Sequence, residues 1–133
     1  MLKIRTKIGK SKVHGIGLFA DQFIPKNTVT WKYEPKLDLS ITQKILDSID
    51  LYSKKYFLYY SYFDKKRKKF ILCSDNQRFI NHTVNKNKEN IMSTPDIDVA
   101  ARDIKVGEEL LCDYNKFDDT YFKRMNIDND KLF

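Results

Sequence analysis

The sequence predicts a mostly β fold with short helices, built from several small sheets wrapped around one another. Three observations carry that expectation. Leu2, Ile4, Thr6 and Ile8 alternate with Lys3, Arg5 and Lys7, the period of a half-buried strand. Two corners echo one another: Ile24-Pro25-Lys26-Asn27-Thr28-Val29 and Ile104-Lys105-Val106-Gly107-Glu108-Glu109-Leu110. In each, an Ile is followed three places later by a residue that tolerates positive φ, and then by an outgoing strand. Helical periodicity, in contrast, is confined to short stretches.

The elements follow in order. Gly9-Lys10-Ser11-Lys12 breaks the first strand, Leu18-Phe19-Ala20 is a brief second one, and Val29–Tyr33 is a third. Ser40 and Gln43 have capping-box spacing, and Ile41, Ile45 and Ile49 recur at i, i+4, i+8, which predicts a helix over about 41–50. Tyr52 to Phe63 is an aromatic run with five tyrosines. It leads into Lys65-Lys66-Arg67-Lys68-Lys69, read as a solvated hairpin tip, and into the returning strand Phe70–Cys73. The stretch between Asn81 and Asp98, polar at Asn85, Lys86, Asn87, Lys88, Glu89 and Asn90, reads as a loop. Val99–Arg102 and Leu110–Cys112 read as strands. Asp118 or Asp119 would cap a tail helix with Tyr121, Phe122 and Met125 on one face.

At 133 residues the chain suits one domain. Its 41% hydrophobic and 14% aromatic content excludes a disordered chain, although 32% is charged. No apolar run approaches the ~20 residues of a membrane span. The start, Met1-Leu2-Lys3-Ile4-Arg5, is unlike a signal sequence, which predicts an intracellular protein. Cys73 and Cys112 have no paired spacing, so neither a disulfide framework nor a zinc site is expected, and no metal role is expected for His14 or His82. The formal charge is +7, with twenty Lys against five Arg. Lysine-dominated charge fits a solubilising surface with weak nucleic-acid affinity better than a base-reading head.

Three short runs could carry chemistry. Gly15 and Gly17 flank Ile16 ahead of Leu18-Phe19-Ala20, where the backbone could approach a ligand with no Cβ in the way. Arg78-Phe79-Ile80-Asn81-His82-Thr83 could be no more than a capped turn. Gly107-Glu108-Glu109-Leu110-Leu111-Cys112-Asp113-Tyr114 ends a strand on a tyrosine. In order and spacing, the three resemble the SET-domain protein-lysine methyltransferases, over about Lys12 to Phe117. Val29–Tyr33, Asp38, Asp75–Arg78 and Asp113-Tyr114 look like the small stand-alone SET proteins of bacterial and viral kind.

The resemblance implies a single SET domain over 1–133, with its core at about 12–117 and a short helical tail at 118–133. It implies a pseudoknot in which the Asn-His and Tyr segments thread past one another. It also implies S-adenosylmethionine (SAM) as methyl donor, no metal, and a histone tail or another basic protein as substrate. Residue by residue, Tyr114 would be catalytic, and Gly15, Ile16, Gly17, Arg78, Phe79, Asn81 and His82 would bind the cofactor. Tyr33, Tyr62, Cys112 and Phe117 would line the lysine channel. Cys112 stands where an aromatic residue commonly limits the number of methyl groups.

The sequence departs from the family pattern at Thr83, at Val84 and at a missing proline, and the motif's last Asn is either Asn87 or Asn90. With no cysteine-rich segment, the channel must be closed by ordinary side chains, or by a second copy of the chain in a homodimer. A silent SET-like binding module and a basic β-domain that binds nucleic acid are the competing readings.

Overall fold

A computed structural model describes residues 1–126. The tail expected over 118–133 is therefore described through residue 126, and its remainder lies outside. Among the described residues, strands are short and gathered into three sheets. β1 (Thr6–Lys10) pairs antiparallel with β2 (Ile16–Ala20). β3 (Val29–Lys32) belongs to the largest sheet. β4 (Leu39–Ile41), β5 (Tyr62–Asp64) and β6 (Lys69–Leu72) form the third, in the order β4-β6-β5. β7 (Asn81–His82), β8 (Ile91–Ser93), β9 (Ile97–Ala100) and β10 (Leu111–Cys112) complete the large sheet, in the order β3-β9-β8-β10-β7.

The two echoing corners pair with each other. Ile24 and Ile104, both fully buried, exchange N–H···O bonds of 2.9 and 2.8 Å. Asn27 and Gly107 take φ of 70° and 89°, as the turns require. The flanking bonds repeat with the same offset: Asn27 N–H reaches Ala100 O and Gly107 N–H reaches Ala20 O, each at 2.8 Å. This pairing clamps the β1–β2 sheet to the end of β9 and positions Gly15–Gly17 beside the last strand.

The knot is made by β10. It lies parallel to β7 on one side and to β8 on the other, so a late strand is inserted between two that are successive in the chain. The loop between β7 and β8 is closed over it. Thr83 N–H donates to Cys112 O at 3.0 Å, and Asn90 N–H to Leu111 O at 3.1 Å. Asn90, fully buried, also donates from Nδ2 to Glu109 O and accepts from Leu111 N–H, each at 2.8 Å. Asn87 is exposed. The structure thus gives the interior position of the loop to Asn90.

Four local expectations are corrected. The stretch between Asn81 and Asp98, expected as a loop, holds β8 and the start of β9, which pair with each other and so satisfy their backbone groups. The single helix over 41–50 is a shorter α1 (Gln43–Ser48), capped by Thr42 instead of Ser40, because Ser40 pairs within β4. The aromatic run holds a second helix, α2 (Leu51–Tyr60), started by Asp50, whose Oδ1 accepts from Tyr52 and Ser53 N–H at 3.0 Å. Its periodicity was invisible because Phe57 alone is fully buried while Leu51, Tyr52 and Tyr56 face outward. The first strand is divided: Leu2 bridges to Trp31, and β1 continues past Gly9, which sits opposite Gly17.

The Lys-rich segment does form a hairpin tip, with Lys68 at φ 54°. Arg67, however, is bound, not solvated: it reaches buried Asp64 at 2.5 Å and Asp96 at 2.6 Å. A short α3 (Tyr121–Arg124) ends the described chain. No described helix is long and apolar enough to cross a membrane.

Candidate active site

Three segments distant in sequence meet at Asn81. Its Nδ2 lies 2.9 Å from His14 O, 3.1 Å from Ile16 O and 3.0 Å from Glu109 Oε1. An amide carries two N–H donors, so three acceptors share them, and the glycine loop, β7 and the Gly107 turn are tied at one point. The two glycines contribute differently. Gly15 has φ +51° and open space where a side chain would begin. Gly17 is buried against Glu109, and a Cβ there would collide with Glu109 Oε1. Gly17→Ala should therefore push Glu109 off Asn81. Loss of that charge-assisted bond should lower the unfolding free energy by about 1.5–3 kcal/mol, measurable in a urea titration.

His82 and Tyr114 are brought together by the parallel register, which sets Cys112 beside His82. Asp113 then caps a 3₁₀ turn at Tyr114–Lys116, accepting from Asn115 N–H at 3.1 Å. Tyr114 N–H donates to His82 Nδ1 at 3.1 Å, which places the ring proton on Nε2. Asp113 Oδ1 stands 3.8 Å from the same Nδ1, but a nitrogen that accepts an N–H is not the charged half of an ion pair. The Tyr114 hydroxyl donates to Ile80 O in a close contact. Burial pushes the Tyr114 phenol well above its ordinary pKa, so it stays protonated.

Beside Tyr114 opens a cleft. Of the residues singled out in the sequence, it takes in Arg78, Tyr62, Cys112 and Phe117. Tyr62 is anchored by its hydroxyl to Pro95 O at 2.6 Å and meets Phe117 edge-on at 5.7 Å. Arg78 Nη2 is bound to Ser74 O at 3.0 Å, and Phe79 packs edge-on against Tyr60 at 5.7 Å. Tyr33 is not brought to this cleft, which corrects its placement in the channel. It touches the same aromatic cluster from outside and lines a separate groove, where the Arg67 guanidinium lies 4.5 Å over its ring.

Sequence reasoning missed several residues. Tyr59 and Tyr60 reach the cleft from α2, and Trp31 and Asp98 from the large sheet. Tyr121 and Phe122 of α3 cover the site: Phe122 stacks on Tyr114 at 5.9 Å and lies 4.7 Å from His82. Adjacent aromatics, Tyr121 and Phe122, soon after the Asp113-Tyr114 segment were the available signal for this cover. The acidic residues near the cleft are Asp98 and Asp118. Asp38, Asp75 and Glu108 lie outside it and hold Glu34 N–H, Leu2 N–H and Arg102.

The model of the SET domain matches residues 15–115, about three quarters of the chain. No curated protein matches. Among solved structures, the fold is similar to a chain of the polycomb repressive complex 2 of Chaetomium thermophilum, in an autoinhibited conformation bound to S-adenosylmethionine. That match has a TM-score of 0.65 at 22% identity, over 92% of this chain and 16% of that one. A candidate histone methyltransferase of Plasmodium falciparum gives 0.59 at 21% identity, over 85% of this chain and 95% of that one. SET8 from Cryptosporidium gives 0.56 at 27% identity, over 85% and 58%. The chain spans between 14% and 16% of the length of the polycomb chains it matches. The match to the domain model, the inserted β10 and the meeting of Asn81, His82 and Tyr114 beside a double-glycine loop agree: the chain belongs to the SET-domain family.

Proposed function

We propose that the protein is a SAM-dependent protein-lysine N-methyltransferase acting inside the cell on a histone or another basic protein. The observation that carries this reading is the convergence of Tyr114, the Asn81-His82 strand and the Gly15–Gly17 loop at the mouth of an aromatic cleft. The residues present suit the cofactor. The open space in front of Gly15 leaves main chain exposed to a ligand, and the His14 and Ile16 carbonyls with the Glu109 carboxylate suit an ammonium group. Aromatic faces at Tyr114 and Phe122 suit a flat base. Bound there, SAM supplies an electrophilic methyl on a positively charged sulfur.

The chain's own residues act by binding, drying and aligning. A lysine of pKa ~10.4 enters protonated, and the enclosed cleft disfavours its charge. Tyr62 and Phe117, with Trp31 edge-on to Tyr62 at 6.4 Å, fit the alkyl stem and the cationic head. Because Tyr114 spends its proton on Ile80 O, its oxygen lone pairs are directed to the cleft, where they attract a positively polarised methyl.

Incubation with labelled SAM and a panel of histones and ribosomal proteins tests the reading. Label is expected on lysine. SAM binding without transfer would point to a binding module, and failure to bind SAM would remove both. Cys112 is smaller than the aromatic residue it replaces, so more than one methyl per lysine is expected by mass spectrometry. Strictly monomethylated product at exhaustive enzyme would contradict that.

A further inference from the structure

One wall of the cleft carries chemistry that alignment alone does not use. Trp31 pairs with Asp98 across β3 and β9, and Asp98 pairs with Ser93 across β9 and β8. Cys112 stands in the next strand beside Ile91, two residues from Ser93. Opposed residues in a sheet share a face, so all four lie on the one turned to the cleft. The stem of a lysine calls for an apolar wall, yet this one offers an indole N–H, a carboxylate and a hydroxyl.

Asp98 is 3% exposed. Gln77 Nε2 donates to it at 2.5 Å, but it forms no ion pair among the described residues. A buried carboxylate lacking a cation is costly unless it is neutral or meets one. The atoms around the cleft show the same want. Trp31 Nε1, Ser61 Oγ and Ser93 Oγ, all from residues lining it, meet no hydrogen-bond partner among the described residues. Buried polar atoms are normally satisfied, so several unsatisfied ones around a single cleft mark a place for water and a polar ligand head.

The titratable groups facing Asp98 are the Cys73 and Cys112 thiols and the Tyr62 phenol, all raised by burial and hence neutral, and the more distant amino terminus. Burial pushes the Asp98 carboxyl up to about 7, while the nearby Ser93 hydroxyl and the hydrogen bond from Gln77 hold it down.

We propose that Asp98 is the proton acceptor for the substrate lysine, directly or by way of the Ser93 hydroxyl. The ε-ammonium gives up one proton, the N–H bonding pair stays on nitrogen as the lone pair that takes the methyl, and the carboxylate becomes a carboxylic acid. That acid returns its proton to solvent when the cleft reopens. The inference rests on the methyltransferase reading and adds to it a base that the reading does not require.

The test is single-turnover methyl transfer by the wild type and by Asp98→Asn from mildly acidic to alkaline pH, with SAM binding measured on both. The carboxylate form grows as pH rises, so the wild-type rate should climb through about 7 and then level. Asp98→Asn should bind SAM unchanged, run more than about tenfold slower near neutrality, and approach the wild type only near the lysine's own pKa of ~10.4. An amide can still accept from Gln77, so a purely structural role predicts profiles of the same shape. Superimposed profiles with intact SAM binding would overturn the inference alone, whereas a wild type that binds SAM and never transfers would overturn the methyltransferase reading with it. Should Asp98→Asn fail to fold, the wild-type profile decides together with Ser93→Ala. A wild-type rate with no rise through neutrality, equally flat in Ser93→Ala, would overturn the proposal.

Discussion

Tyr114→Phe should keep SAM affinity within about twofold and lose about 10²-fold or more of the methyl-transfer rate. The size follows from what is removed: one preorganised dipole aimed at developing charge in an enclosed site, a loss that typically costs 10²–10³ in rate. Phenylalanine preserves the packing of the ring against His82, Phe117, Tyr121 and Phe122, so the site keeps its shape. It does not preserve the bond to Ile80 O, and the part-buried carbonyl left behind should cost about 1–3 kcal/mol in a urea titration. The comparison that matters is between the two readouts. A stability loss with the rate within threefold of the wild type would make Tyr114 a packing residue, and the methyltransferase reading would lose its reacting centre. Tyr114→Ala is the poorer choice, because it empties the ring contacts along with the hydroxyl and confuses the two effects.

Much of this architecture was legible because local chemistry and fold agree. Asn27 and Gly107 announced their corners through φ, and nothing in the chain disputes them. The Lys-rich tip was legible from two flanking apolar runs, and the three site segments from their order. What stayed hidden depends on partners far away in sequence. Thr42 caps α1 only because β4 has claimed Ser40 for pairing with Ile71. α2 has no apolar stripe, since its tyrosines serve different neighbours: Tyr59 meets His14 at 2.7 Å, and Tyr60 meets Phe79. Tyr33 looked like channel wall because an aromatic face suits an alkyl stem with a cationic head, but Arg67, from the hairpin tip, stacks on its ring. Asp98 offered no signal at all. It closes the stretch that reads as a loop, and only the meeting of β3, β8 and β9 turns it inward.

Asp118→Ala should destabilise the protein by about 3–5 kcal/mol and loosen the cover over the site. Asp118 is 1% exposed and holds four groups at once. Its Oδ2 accepts from Phe63 N–H at 2.9 Å and pairs with Arg124 at 2.7 Å, while Oδ1 accepts from the Thr120 hydroxyl at 2.7 Å and from its N–H at 3.2 Å. Arg124 in turn donates to Ser61 O at 2.9 Å and lies over the Tyr121 ring at 5.1 Å. One carboxylate thus fastens α3 to β5, and α3 carries the two aromatics that cover Tyr114 and His82. Removing it strands the Arg124 charge in a largely buried place, and that desolvation, more than the lost bonds, sets the magnitude. Asp119→Ala is the internal control: its pair with Lys65 is exposed on both sides and should be worth less than about 1 kcal/mol. The double change Asp118→Ala, Arg124→Met should recover part of the loss, because deleting both charges costs less than orphaning one. Equal unfolding midpoints for Asp118→Ala and Asp119→Ala would show that α3 is held by its aromatic contacts alone. If the carboxylate does fasten it, SAM affinity should fall with the Asp118 change and stay unaltered with the Asp119 change, linking the cover to the cofactor side of the site.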